Sequence, residues 1–332
     1  MLIRNVEELR KYLGRAVNAS FEIESLQPFI ELAEDEYLKK GLGLVYFNEL
    51  NNQVNGTGSV QLSANNAFIL PYIQRALAFY TYHLYLPYAI GNDGDNGLQE
   101  TETDTTKPAR IGVLEKRQRA TIENASKAME TVLELLFAEP NKYPTFWGSA
   151  FGIAFKKSWF GTAEQLSNAL PLVDCSYRLL LTLNKYFVWA ETARLQQIVG
   201  IEIMTMLKNY HLTPNLVTGM ADLYRLSRQY LAWAAYEEAL LFLNVVQLGN
   251  GGLRVLSEFD GINNTKAPDQ NTWMEYKRNI DTRTSSARAD LIGFLNKNAD
   301  NFPTFKTSIL YKAESQSRLP DNKKYRSVFR MK

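Results

Sequence analysis

Tyr143-Pro-Thr-Phe146 and Phe302-Pro-Thr-Phe305 are the same element at two places in the chain. Other matches precede this pair in the same order and at nearly the same offset along the chain. They are Val6–Leu9 with Ala163–Leu166, Ala33-Glu34 and Gly43 with Ala190-Glu191 and Gly200, Leu77–Tyr82 with Leu231–Tyr236, Gly97-Leu98 with Gly252-Leu253, and Lys107–Ala109 with Lys266–Pro268. Because the order is collinear and Pro-Thr-Phe is not a generic helix sequence, we infer two copies of one module.

The repeat divides the 332-residue chain into three parts. We place the first helical module at residues 1–157, its duplicate at 158–316 and a basic tail at 317–332. Each module has the length of an ordinary domain, about 150 residues. The alternative is that unrelated helical segments share Ala, Leu and Tyr, which leaves the paired glycines and the Pro-Thr-Phe element unexplained.

Apolar residues recur at helical spacing through both modules. Over residues 25–40, Leu26, Ile30, Ala33 and Tyr37 are spaced three or four apart, which places them on one face of a helix. Further long helices are predicted at Asn66–Tyr88, Val113–Phe137 and Trp273–Leu295. Strand signals are few, and Val60–Leu62 is the one short candidate. The fold is therefore predicted to be mainly α.

Matching signals mark the first helix of each module. Asn5 is predicted to cap a short helix that ends near Leu13, with Glu8 three residues on in the pattern of a capping box. Thr162 and Gln165 have the same spacing at the start of the second module. The residues predicted to cap the first helix therefore repeat at the same place in both modules.

Charge and composition exclude several classes of protein. Lys and Arg number 37 against 35 Asp and Glu, which is too balanced for a dedicated nucleic-acid binder. The single cysteine, Cys175, cannot form an internal disulfide, which favours a reducing compartment. The N-terminus does not have the pattern of a signal peptide, and charges interrupt both apolar stretches that could suggest a membrane span.

No arrangement of reactive residues predicts catalysis. His83 lies among tyrosines, which favours a core or interface position over metal binding. Glu34–Glu36 are consecutive, so they point in different directions and favour a solvated helix face. Glu237 and Glu238 interrupt an apolar helix, where a buried hydrogen-bonding role or a contact with another subunit is open. We expect no catalytic residue, no cofactor and no metal.

The C-terminal tail is basic and carries two aromatic anchors. It holds six Lys or Arg residues and one Asp. Such a segment suits docking into an acidic groove of a partner, while a solvated end and a nucleic-acid contact are the alternatives. The residues expected to dock are Arg318, Lys323, Lys324, Tyr325, Arg326, Phe329 and Arg330.

Three stretches resemble a known group of proteins. Val6–Tyr12, Leu26–Gly43 and Ala76–Tyr82 are similar to phage and prophage proteins of gut Bacteroidetes, a group that includes neck-ring components of crAss-like phages. The layout is also similar to head–tail adaptor proteins, which are small helical subunits with a long loop and a C-terminal extension. The resemblance implies a ring, commonly of twelve copies, beneath the portal, with Arg318–Lys332 inserted into the portal. Two modules depart from the simple adaptor pattern, which leaves the level in the neck stack undetermined.

From these observations we expect a virion structural protein at the neck, assembled in the bacterial cytoplasm. Its expected partners are the portal protein, other neck or tail ring proteins and further copies of itself in a homo-dodecamer. Genomic DNA would only pass through the channel, and no membrane is involved. The alternative is a helical-repeat scaffold that binds proteins inside the host cell. An enzyme with an unrecognised site is the third hypothesis.

Long polar loops separate the last two long helices of each module, at Gly91–Lys107 and Gly249–Lys266. Ring closure requires one patch to meet a different patch on the neighbour, so we expect neighbouring subunits to order these loops. The side chains expected at those contacts are Asn92, Asp93, Asp95, Asn96, Asn250, Asn263 and Asn264. Asp93–Gly97 resembles a calcium loop, but its glycine falls one position early and Asp104 replaces the Glu ligand. A solvated turn is therefore the preferred interpretation.

Overall fold

A computed structural model gives the fold of the chain. It describes residues 1–14, 22–56, 61–89, 91–94, 97–100, 111–171, 173, 175–213, 218–242, 244–247, 253–256 and 270–312. Helices account for most of these residues, and short strands occur only in two pairs within the described ranges. The prediction of a mainly α fold is confirmed.

The first module is built around two long helices, α5 and α6, with a strand pair between them in the chain. Its helices are α1 (Val6–Leu13), α2 (Ile23–Ala33), α3 (Lys39–Leu42), α4 (Leu44–Val54), α5 (Ala64–Tyr85), α6 (Ile111–Ala138), α7 (Pro144–Gly148) and α8 (Ala150–Lys156). Strands β1 (Gly91–Gly94) and β2 (Gly97–Glu100) pair antiparallel between α5 and α6. Helix α5 packs against α1, α2 and α6.

The second module repeats this order. Its helices are α9 (Ala163–Ala169), α10 (Tyr177–Ala190), α11 (Gln196–Leu212), α12 (Met220–Phe242), α13 (Gln270–Lys297) and α14 (Pro303–Lys306). Strands β3 (Asn244–Gln247) and β4 (Leu253–Leu256) pair antiparallel between α12 and α13. Helix α12 packs against α11 and α13, as α5 packs against its neighbours in the first module.

Rare backbone features recur at one offset and confirm the duplication. A π-helical turn follows α2 at Glu34–Leu38, and another follows α10 at Glu191–Leu195. Such turns are uncommon and occur mostly as single insertions in α-helices. Gly43 and Gly200, separated by the same offset as the two turns, both break the helix with positive φ, at 76° and 81°. Two unrelated helical segments would not share these features.

The first helices of the two modules are capped alike, as predicted. Asn5 Oδ1 accepts the N–H of Glu8 at 2.8 Å, and Thr162 Oγ1 accepts the N–H of Gln165 at 3.2 Å. The Glu8 and Gln165 side chains each reach back and accept the backbone N–H of the residue before the cap. These reciprocal bonds satisfy amide groups that the first helical turn cannot pair internally.

The Pro-Thr-Phe element closes each module by filling its core. Phe146 and Phe305 are fully buried, and their upstream neighbours Tyr143 and Phe302 are also buried. In both copies the proline stands in the first turn of a short helix, where its missing N–H has no intrahelical partner to lose. The match at the sequence level therefore reflects a repeated core contact.

The strands lie elsewhere than predicted. Of the predicted strand Val60–Leu62, the described residues Gln61 and Leu62 form no strand. Ser63, which follows them, caps α5 by accepting the N–H of Asn66. Asn92 and Asp93, predicted in a loop, lie in β1, which pairs Gly91 with Glu100. Gly, Asn and Asp have low strand propensity, so the sequence pattern does not indicate β1. Strands β2 and β4 also lie within the stretches predicted as polar loops, and valines in β3 and β4 are a strand signal that the prediction missed.

Contacts between Cα atoms divide the structure into two compact units. The first contains the described residues up to Asn184 together with β3 and β4, and the second contains the described residues of 185–242 and 270–312. This division differs from the repeat boundary at 157/158, because the start of α10 packs within the first unit. There the Glu130 carboxylate accepts the N–H groups of Tyr177 and Arg178.

The long helices are buried in their units without being membrane spans. On α5, Ala76, Leu77 and Ala78 are fully buried, and on α12 Leu231 and Ala232 are too. None of the helices in the described part carries the continuous apolar stretch that spanning a bilayer requires. Burial against neighbouring helices explains the apolar sequence of both.

We expect Gly200→Ala to lower the free energy of unfolding by about 1–3 kcal/mol, because its φ of 81° and ψ of 166° suit glycine almost alone. No atom lies within 4 Å of the added Cβ, so the cost is conformational and not steric. Urea unfolding followed by circular dichroism measures it.

Gly293→Ala is the matched control, since Gly293 lies inside α13 and has equally open space. Alanine there should stabilise by about 0.5–1 kcal/mol. Equal effects of the two substitutions would contradict the assigned role of Gly200.

Candidate functional site

The two histidines and the cysteine of the chain are either buried or bonded to a neighbouring side chain. His83 is buried on α5, and Cys175 is buried and forms no disulfide. His211 Nδ1 lies 2.5 Å from the Tyr224 hydroxyl oxygen, and the two rings are stacked with their centres 5.9 Å apart. Within the described ranges, no three His, Cys, Asp or Glu side chains are grouped to hold a metal ion.

The π-helical turns each begin with a glutamate that the two modules satisfy differently. Glu34 is buried, and its Oε1 accepts the backbone N–H of Leu2 at 2.7 Å. Burial raises the pKa of Glu34 above its ordinary value, although the Leu2 N–H opposes the shift. Glu191, at the equivalent position, instead forms an ion pair with Lys208. The prediction of a solvated face is therefore wrong for Glu34.

An arginine at the second π-turn joins it to α12. Arg194 Nη1 and Nη2 donate to the two Glu237 oxygens at 3.1 and 3.4 Å, and Nη2 lies 3.7 Å from Glu238. The guanidinium also lies 5.5 Å from the centre of the Trp189 ring. Half-buried Glu237 thus has a charged hydrogen-bonding partner within the same chain, which is one of the two roles left open by the sequence, and Glu238 is close enough for an ion pair only. Paired bonds of this kind are stronger than neutral hydrogen bonds.

A groove in the first unit collects unpaired cations. It has a volume of about 360 Å³, and we call it the basic groove. It is lined by Tyr12 from α1, Arg75 and Phe79 from α5, and Asn124, Lys127, Ala128 and Thr131 from α6. Both cations are exposed, and neither forms an ion pair with a described residue.

The groove combines charge with hydrogen-bond donors. Burial raises the pKa of Tyr12 while the charge of Arg75 opposes that shift, so the hydroxyl is protonated at neutral pH. That hydroxyl donates to Gln74 Oε1 at 3.2 Å. The Asn124 amide lies on the opposite wall, one helical turn from Lys127. Such a lining suits a carboxylate or another anion.

The second module has no equivalent of this lining in its described part. Trp233 and Arg283 occupy the positions of Phe79 and Asn124, and the Arg283 guanidinium lies 5.6 Å from the Trp233 ring centre. Asp290 stands where the first module has Thr131. The Arg283 cation thus contacts an aromatic ring, and Asp290 places a negative charge on the same helix. The basic groove is therefore specific to the first module.

Both modules expose large apolar side chains at matching positions. Leu32 is 43% exposed, and Trp189, its counterpart in the second module, is 39% exposed. Leu44 is 58% exposed and Ile201, at the same offset, is 70% exposed. Single exposed apolar residues are ordinary on protein surfaces. At these two pairs of positions both modules carry an exposed apolar side chain.

Most residues predicted to make contacts fall outside the described ranges. These are all seven residues of the docking tail, namely Arg318, Lys323, Lys324, Tyr325, Arg326, Phe329 and Arg330, and the loop residues Asp95, Asn96, Asn250, Asn263 and Asn264. Asn92 and Asp93 alone are described, in β1. Their contacts with other subunits stay predictions.

Comparison with known families identifies the repeated module. One family of unknown function, DUF6712, matches residues 38–153 and again residues 195–315, which together exceed half of the chain. The chain belongs to the DUF6712 family. No curated protein and no solved structure matches it. The two DUF6712 matches begin at Leu38 and Leu195, which are the last residues of the two π-turns.

Sequence reasoning missed the basic groove of this DUF6712 protein, although a signal was present. Asn124, Lys127 and Thr131 are spaced three and four residues apart on α6, as Arg75 and Phe79 are on α5. Each set therefore shares one helix face. What the sequence does not provide is which faces of the two helices meet.

We expect Arg194→Ala to lower the free energy of unfolding by about 1.5–3 kcal/mol, because it leaves half-buried Glu237 without its charged partner. Urea unfolding measures the loss. Arg225→Ala is the matched control: Arg225 forms an exposed pair with Asp222 and should change stability by less than about 0.5 kcal/mol. Indistinguishable values for the two variants would refute a stabilising role of Arg194.

A second prediction concerns pH. Because its folded-state pKa is raised, Glu34 binds a proton more tightly in the folded than in the unfolded protein. Its contribution is most favourable below the unfolded-state pKa and is lost as pH rises through the folded-state pKa. Glu34→Gln keeps an oxygen that can accept from Leu2 and does not titrate.

The stability of the wild type relative to Glu34→Gln should therefore increase as pH falls from neutral to about 4.5. Thermal unfolding of both proteins across this range gives the difference. Glu31→Gln, which removes an exposed carboxylate on the same helix, controls for net charge. A pH-independent difference for Glu34→Gln would count against the predicted coupling.

Proposed function

We propose that this DUF6712 protein is a virion structural protein that forms an adaptor ring in a phage neck. The ring would join the portal to the tail and surround the DNA exit channel. The observation that carries the proposal is the repeated exposure of apolar residues, Leu44 with Ile201 and Leu32 with Trp189, on two copies of one helical module. The resemblance of Leu26–Gly43 to neck-ring components supports the same assignment.

Ring assembly explains why matching apolar positions are useful in both modules. A closed ring requires each subunit to present one patch that meets a different patch on its neighbour. A duplicated module supplies related surfaces twice on one chain, and divergence makes them unequal. Leucine at position 44 and isoleucine at 201, or leucine at 32 and tryptophan at 189, are such unequal pairs.

The expected partners follow from this placement. The tail, residues 317–332, would dock into the portal through its six cations and the rings of Tyr325 and Phe329. Other contacts would be made with neighbouring ring proteins and with further copies of the chain, commonly twelve in all. A net charge of +2 suits a channel through which DNA passes, because strong phosphate binding would retard it. The role is architectural, not enzymatic.

Deleting residues 318–332 is expected to abolish binding to the portal protein of the same phage while leaving the body folded. The reason is that the tail holds the cations and aromatic anchors assigned to docking, and the described core lies outside it. Co-sedimentation with the portal and electron microscopy of the assembled particle measure binding and the position of the ring. An unchanged thermal unfolding curve would show that the truncated protein is still folded.

A variant with the tail sequence scrambled at constant composition is the control. Lost binding with the scrambled tail indicates specific docking, and retained binding indicates a purely electrostatic contact. Portal binding by the truncated protein, or a protein that remains a monomer or dimer beside the portal, would instead support a helical-repeat scaffold that acts inside the host cell.

A further inference from the structure

We propose that the basic groove binds the acidic loop, residues 93–104, of a neighbouring copy of this chain. The inference rests on the proposed ring, since it assigns one contact between adjacent subunits. It goes beyond the ring by naming the two surfaces that meet and the chemistry that joins them.

Charge complementarity identifies the loop as the occupant. Between Asp93 and Asp104 the loop has acidic residues at 93, 95, 100, 102 and 104 and no basic residue. The groove offers the cations of Arg75 and Lys127, which form no ion pair with a described residue, beside the amide donor of Asn124. Carboxylates accept charge-assisted hydrogen bonds from all of these groups.

The shape of the groove fits a side chain on an extended segment. Its volume of about 360 Å³ is sufficient for one or two acidic side chains. Phe79 and Ala128 provide apolar surface for the methylene groups of a glutamate, while the cations lie at the wall. The groove therefore suits Glu100 or Glu102 from a passing loop.

The second module provides an internal comparison. Over matched spans, residues 91–109 of the first module carry five acidic residues and one basic residue, whereas residues 244–268 of the second carry two of each and are neutral. Its corresponding helix faces carry Arg283 against Trp233, together with Asp290. Acidic loop and basic groove thus occur together in the first module and are both missing from the equivalent positions of the second. Because both features are present in one module and both are absent from the matching positions of the other, we assign them to one contact.

The position of the groove along the helices favours a loop from another chain. The acidic loop follows α5 and precedes α6, whereas Lys127 lies beyond the midpoint of α6. At a rise of about 1.5 Å per residue, Lys127 is about 24 Å from the start of that helix. A loop of the same chain would have to fold back along the helix pair. A loop from a neighbour meets the groove as one patch meeting a different patch, the contact that a ring needs.

Cysteine cross-linking of the full-length protein tests the contact. In a Cys175→Ala background, we would mix chains carrying Asn124→Cys in the groove with chains carrying Glu102→Cys in the loop, under mild oxidation. A disulfide-linked dimer is expected from the mixture. Arg283→Cys, at the position in the second module that corresponds to Asn124, is the matched partner control and should give at least tenfold less dimer with Glu102→Cys.

Charge reversal tests the chemistry of the same contact. Arg75→Glu with Lys127→Glu should reduce the cross-link at least tenfold, and Glu100→Lys with Asp104→Lys in the loop chain should restore it. Lys116→Glu, an exposed cation elsewhere on α6, should leave it unchanged. Restoration by reversed charges is an effect that misfolding of the groove would not produce.

The outcomes separate this inference from the proposed function. Rings seen by electron microscopy without a cross-link between chains would overturn the groove contact while the ring stands. A cross-link within a chain carrying both cysteines, but none between chains, would also overturn it, because the loop would then occupy its own groove. Cross-linked chains that form no ring on the portal would support the contact and refute the adaptor assignment.

Discussion

Close packing within one pair of long helices is the constraint on which each module depends. In α5 and α12 the buried positions include several alanines, namely Ala76, Ala78, Ala232, Ala234 and Ala235. Small side chains permit neighbouring helices to approach closely, and the surrounding leucines and aromatic rings then fill the remaining space. Ala78 and Ala232 match between the modules, whereas Ala76 corresponds to Tyr230 and Ala234 to Tyr80, and all of these residues are buried. The packing of the long helices is thus retained while the residues that fill it differ between the copies.

Contacts of polar side chains show how the two copies diverged at matching positions. Where the first module stacks Tyr37 on Tyr80, with ring centres 3.9 Å apart, the second has Arg194 at the position of Tyr37 and pairs it with Glu237. A second case joins the long helices: Arg117 lies over the Tyr82 ring, and the equivalent residues of the second module are two tyrosines hydrogen-bonded through their hydroxyls. In each case the polar side chains of one module find partners different from those in the other, because a buried polar group left alone is costly.

Periodicity and local chemistry predicted the helices, the caps at Asn5 and Thr162, and the duplication, because these depend on spacing within a few residues. The π-turns, the β1–β2 pair and the basic groove could not be predicted. A π-turn depends on one inserted residue that leaves the apolar stripe nearly intact. Pairing of glycine-rich β1 with β2 depends on the ends of two helices being brought together. The groove depends on which face of α5 meets α6, information that tertiary packing supplies.

Duplication also determines what kind of assembly the chain can enter. Two identical modules on one chain would present each surface twice, and a neighbour could then bind in either of two registers. Helix faces that differ between the modules, Asn124 against Arg283 and Thr131 against Asp290, remove that ambiguity. A mismatched register would place acidic side chains beside Asp290, and like charges in contact disfavour it. In the proposed ring, surfaces that differ between the two modules would give the duplicated chain one defined way to meet its neighbour.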